Sequence, residues 1–110
     1  MNNKKLPEDF KYLPEMYDDS YFPDFLVDKI RDVIEIAVKF IEDGNHTTIE
    51  IQDSFDQMVL KINGLQEEFE ENDSEIETIA RDSIGMTVEK ILEYFEIDID
   101  TEEAIREREW

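Results

Sequence analysis

Cysteine is absent, histidine and tryptophan occur once each, and glycine and proline three times each. Without a thiol there is no disulfide framework and no thiolate metal site, which suits a reducing compartment. His46 is the lone imidazole, so Ser20, Ser54, Ser74 and Ser83 have no evident base to activate them as nucleophiles. It falls between two helical segments and is expected to be an exposed turn residue. Three scattered glycines cannot build a phosphate-cradling loop, and no Glu-x-x-His pair exists for a two-metal bundle site. No apolar run reaches the ~18 residues of a membrane span. The start, "MNNKKLPEDF", also lacks the apolar stretch of a secretory signal. These absences predict a soluble cytoplasmic protein that is not an enzyme, with no catalytic residue, no cofactor and no metal.

Basic residues are scarce as well: 11 Lys and Arg stand against 31 Asp and Glu, a formal charge of −20 over 110 residues. Nucleic acids and anionic membranes are bound chiefly through excess Lys and Arg, so neither is an expected partner. A basic protein remains one, because complementary charge speeds such an encounter. The same charge keeps an acidic protein soluble without any partner.

What is present is helical periodicity. Between Pro23 and Gly44, Leu26, Val27, Ile30, Val33, Ile34, Ala37, Val38, Phe40 and Ile41 share one broad arc at about 100° per residue. An arc that wide predicts a central helix with at least two neighbours. "TTIE" reads as a capping box from Thr47 to Glu50. The helix it opens carries Ile51, Phe55, Met58, Val59, Ile62, Leu65 and Phe69 on one face. Because Leu65 and Phe69 stay in phase across Gly64, this helix is expected to run to about Glu71. "NDSEIE" predicts a second box, Ser74 with Glu77, opening a third helix lined by Ile76, Ala80, Ile84, Thr87, Val88, Ile91, Leu92 and Phe95. Gly85 inside it predicts close packing or a mild kink. Asp100 caps a last short helix anchored by Ile105 and Trp110.

Amphipathic helices joined by short turns must bury their apolar faces against one another. The expected fold is all-α, a compact bundle of three long helices and a short C-terminal one. It forms a single domain over residues 1–110. Residues 1–22 are expected to pack irregularly on the bundle, kept from helix by Pro7 and Pro14.

Two features bear on binding. Asp98, Asp100, Glu102 and Glu109 imitate the ligand spacing of a calcium loop. Glu103 occupies the place where that loop needs glycine, which argues against the site. Leu60, Ile79 and Met86 point away from the predicted core faces. The N-terminal segment or the last helix covers them, or they form a surface for self-association or a partner. In "MYDDSYFPDFLVDKI", Phe22 and Phe25 suit a hydrophobic staple onto the helix at Pro23. Tyr17 and Tyr21 are not needed for that role and join the candidate interface.

The strings "MYDDSYFPDFLVDKI", "LQEEFEENDSEIETIARDSI" and "FEIDIDTEEAIREREW" resemble a family of small acidic bacterial proteins known only as an uncharacterised domain. The likeness runs from about Met16 to Trp110. It implies a bacterial, cytosolic, single-domain protein and carries no activity, ligand or catalytic residue. The functional expectation is a non-catalytic protein-binding module, of which an inhibitor or immunity-type protein masking a basic partner is one form. Its acidic clusters lie at Glu67 to Glu77 and Asp98 to Glu109. The alternative is a self-associating scaffold. Self-repulsion among so many carboxylates is relieved by screening. The melting temperature is therefore expected to rise with sodium chloride over the first few hundred millimolar; a flat response in a thermal scan would show local compensation instead.

Overall fold

Proline has no backbone N–H to lose at a helix start, where the first donors are unpaired in any case. In the computed structural model, which describes residues 4–110, Pro23 caps α2 (Asp24–Glu42). The first three residues of the expected N-terminal segment lie outside the described residues. α2 buries Leu26, Val27, Ile30, Ile34, Ala37 and Val38. It ends where Gly44 takes φ 83° and Asn45 φ 59°. That left-handed pair reverses the chain, and glycine meets the first of the two conformations without a Cβ clash.

The capping box at α3 (Thr48–Asn63) forms as its spacing predicts. Glu50 N–H donates to Thr47 Oγ1 at 3.1 Å, and Thr47 N–H donates to Glu50 Oε1 at 2.8 Å. The helix does not continue to Glu71. It stops at Asn63, and a separate short helix, α4, spans Gln66–Glu71. Leu65 N–H bonds to Ile62 O at 2.9 Å, a tighter step than the α-helical one. The Asn63 side chain is meanwhile engaged by the C-terminal tail through Glu107 O and Glu109 N–H. Phe69 nevertheless remains fully buried, because a tight turn advances the chain almost as a helix does.

The second capping box does not form. α5 spans Thr78–Tyr94, and its N-cap Glu77 makes no side-chain bond. Asp73 adopts φ 59°, and Ser74 N–H closes back onto Phe69 O at 2.9 Å. Ser74 thus belongs to the end of α4 rather than the start of α5. Its hydroxyl is buried without a partner among the described residues. Asp100 does cap the last helix, α6 (Thr101–Ala104), accepting from Glu102 N–H at 3.2 Å.

Pro14 does not exclude helix either; it opens a single turn, α1 (Pro14–Tyr17). That turn packs against both α2 and α5, while α6 packs against both α3 and α5. The long helices are thus joined partly through two short ones. Leu13, just before α1, is left-handed at φ 52° and wholly buried. Its N–H donates to Thr87 Oγ1 on α5 at 3.1 Å, and Ser83 Oγ donates to Glu15 Oε1 at 2.7 Å. Ile30, Phe55 and Ile84, one from each long helix, are completely buried. All regular structure among the described residues is helical.

The two boxes differ in a measurable way. Thr47→Ala should lower the unfolding free energy in urea by about 1 kcal/mol, the usual worth of a lost cap. Ser74→Ala should leave it unchanged or raise it, since it removes a buried hydroxyl that has no partner. A loss at Ser74 equal to that at Thr47 would show that Ser74 caps after all.

Candidate protein interface

The five sequence-derived interface residues differ in their surroundings. Tyr17 is half-buried and its hydroxyl donates to Asp28 Oδ1, while Arg31 Nη1 donates to the Tyr17 hydroxyl oxygen at 3.3 Å. Burial, and then the bond to Asp28, raises its pKa; this tyrosine serves the protein's own fold. Tyr21 is exposed and packs edge-on against buried Phe22. Phe25 is 49% exposed, so the staple holds Phe22 and leaves Phe25 outside. Leu60, Ile79 and Met86 are all exposed. Of the five, Met86 lines a substantial groove.

That groove, of about 470 Å³, lies between α5 and the C-terminal segment. Met86, Ile105 and Trp110 supply its apolar lining, with Asp82, Glu89, Asp100 and Glu102 beside them against Arg81 and Arg108. Gly85 lines it too, and a Cβ there would meet nothing within 4 Å. The glycine is therefore not a close-packing position; it keeps the groove open. A second depression, of about 270 Å³, shares Glu89, Asp100 and Thr101 with the first. A third, of about 380 Å³, shares Ile99 and Asp100 with the second and reaches Thr48, Ile49 and Gln52 on α3. The three are contiguous around Asp100. They coincide with the acidic run that the sequence singles out from Asp98 onward, not with the run from Glu67 to Glu77.

Two buried polar atoms on these walls lack partners among the described residues: the Trp110 indole nitrogen, a donor, and Gln52 Oε1, an acceptor. Buried polar groups are normally paired, and an unpaired one is costly. Sequence reasoning did not identify Gln52, because its role depends on α6 folding back onto α3. Ile49, at 83% exposure, flanks the third depression; its position opposite the core stripe of α3 was the available signal.

A polar clamp holds the grooves in shape. Arg106 Nη2 donates to Asp56 Oδ2 at 2.7 Å and its Nε to Oδ1 at 3.2 Å. Gln52 Nε2 donates to Asp56 Oδ1 at 2.9 Å and to Glu103 O at 3.0 Å. The Asp56 side chain is only 14% exposed. Burial opposes its charge, but the bonds from Arg106 and Gln52 outweigh that and hold its pKa below the usual value.

His46 is not the exposed turn residue its position suggests. Its ring stacks on Phe40 at 3.7 Å between centroids, with Nδ1 3.7 Å from Glu50 Oε1. The calcium-like residues are engaged otherwise: Asp100 caps α6, and Glu102 pairs with Arg108 at 3.2 Å. Among the described residues no three His, Cys, Asp or Glu side chains are grouped to hold a metal ion. Among them also no helix is long and apolar enough to cross a membrane.

Fold and grooves together define an all-helical domain with an acidic, partly apolar recess around Asp100. The chain belongs to the Family of unknown function (DUF5713), whose family model matches residues 6–110. That match extends the resemblance seen in the sequence toward the N-terminus. Neither the curated proteins nor the solved structures contain a match to it.

The clamp predicts a pH effect with a definite sign. A carboxylate whose pKa is depressed by folding stabilises the native state above its unfolded pKa. That contribution is lost as pH falls from the ordinary value of 3.8 through the lower folded one. Asp56→Ala should lower the melting temperature by several degrees at pH 7, and the difference from the parent should vanish in strong acid. The fluorescence of the single tryptophan, at the end of the clamped segment, reports the release. An Asp56→Ala protein as stable as the parent at pH 7 would contradict the clamp.

Proposed function

We propose that the protein is a non-catalytic binding module of the cytosol that receives a basic segment of another protein in the grooves around Asp100. The observation that carries this reading is the junction of three depressions that combine apolar walls, excess carboxylates and an unpartnered donor and acceptor. Met86, Trp110, Ile99 and Ile49 offer apolar contact, the part of an interface that contributes most of its affinity. Asp82, Glu89, Glu93 and Asp98 set the sign of the partner. Trp110 N–H suits a backbone carbonyl of an incoming chain. Masking a basic surface in this way is the inhibitor or immunity-type role.

Charge favours a foreign partner over a second copy. Self-association would bring −20 against −20, and like-charge juxtaposition across an interface is costly.

A short peptide alternating lysine and leucine is a suitable probe, with a glutamate–leucine peptide as control. The lysine peptide should bind and quench or shift Trp110 fluorescence, and the control should not. Gly85→Leu fills the first groove with a better helix former. It should weaken binding about tenfold, roughly 1.4 kcal/mol, without lowering the melting temperature. Equal binding by Gly85→Leu and parent, or none by the parent, would overturn the reading.

A further inference from the structure

The third depression has a construction that the other two lack. Its wall includes Gln52, a side chain only 8% exposed. Both amide hydrogens are engaged, toward Asp56 Oδ1 and Glu103 O. Those partners are acceptors, so the amide cannot be turned over without opposing oxygen to oxygen. The nitrogen is therefore committed, and Oε1 is the amide atom left for a ligand to satisfy. It has no donor among the described residues.

The remaining surroundings specify what would satisfy it. Asp98 lies on the groove and makes no ion pair or hydrogen bond among the described residues. Asp100 uses one oxygen to cap α6, and Glu103 is bonded to Arg106 at 2.8 Å. Two carboxylates thus stand there without a cation. The start of α3 adds roughly half a positive charge at most, which two carboxylates exceed. Ile49 and Ile99 flank the groove, so an apolar stem is accommodated beside the charge. A neutral donor would answer Gln52 but leave the carboxylates unmatched. A bare metal ion would have no use for the isoleucines.

We infer that this groove is the anchor for one lysine or arginine side chain of the partner. Its cationic N–H donates to Gln52 Oε1, its charge is matched by Asp98 and Asp100, and its aliphatic stem lies along Ile49 and Ile99. Long cationic side chains divide in this way between apolar surface and a polar tip. The inference rests on the proposed function and deepens it by naming the group that docks and the place where it does so.

The lysine–leucine peptide is titrated into the full chain and followed by NMR. The Gln52 side-chain amide and the Ile49 and Ile99 methyl resonances should move together and saturate. Asp98→Lys should weaken binding at least tenfold, whereas Glu70→Lys, of the same charge change on α4, should have a much smaller effect. Gln52→Leu also disturbs the clamp, so Ile49→Ser, at an exposed position, is the companion variant and should weaken binding severalfold. If the peptide binds through Met86 and Trp110 while Gln52 stays unmoved and Asp98→Lys acts no more than Glu70→Lys, the anchor is wrong and the binding module stands. If the peptide does not bind at all, both fall.

Discussion

The bond between α3 and the returning C-terminal segment is the constraint on which the functional surface depends. Asp56 receives Arg106 through two guanidinium nitrogens and Gln52 through its amide. Asn63 holds the chain further along at Glu107 and Glu109. α6 is a single turn and could not persist alone, since an isolated helix of that length has no net stability in water. Its place is set by Ala104 and Ile105, which are buried, and by the clamp. Each depression around Asp100 has one wall from this segment or the loop before it, so release of the clamp would dissolve all three.

The negative charge is used in two ways. Where a carboxylate is drawn inward it is matched: Asp56 by Arg106, Glu42 by the Leu6 amide. A buried charge without such partners would be strongly destabilising. Elsewhere the carboxylates remain in solvent, where each contributes little by itself and repels its neighbours. The grooves around Asp100 fall between these regimes. They are recessed enough to exclude part of the water and acidic enough to select a cation, which gives the excess charge a direction that composition alone does not.

A comparable economy governs the N-terminal segment. Leu13 is held left-handed, a conformation that costs a non-glycine residue about 1–2 kcal/mol, and its amide is satisfied by Thr87. Leu13 and Met16 then enter the core between α2 and α5. Lys4 donates to Tyr94 O at 2.6 Å and the Tyr94 hydroxyl donates to Lys5 O at 2.7 Å, strapping the preceding chain to the end of α5. The aromatic stretch from Met16 to Phe25 is accordingly a lid over the core, with Tyr21 and Phe25 as its wet edge.

Local rules were sufficient for much of this. The 3.6-residue spacing of Ile30, Phe55 and Ile84 with their neighbours determined three buried helix faces, because an apolar stripe in water has few alternatives to burial. Thr47 with Glu50, Pro23, Gly44 and Asp100 determined their ends, since each acts on backbone groups within a turn of itself. Rules of the same kind failed at Ser74, whose amide was taken by the end of α4, and at Gly64, where the tail grips Asn63. At Ser74 a competing closure onto Phe69, five residues back, wins; at Gly64 the outcome depends on residues distant in the chain. Met86 was legible as an out-of-phase residue, but Gln52, Gly85 and Trp110 acquired meaning only when α6 folded back between α3 and α5. Periodicity decides which side of a helix is dry; which outer sides face each other across a groove is decided by tertiary packing, because that depends on how the short elements between the helices are fastened.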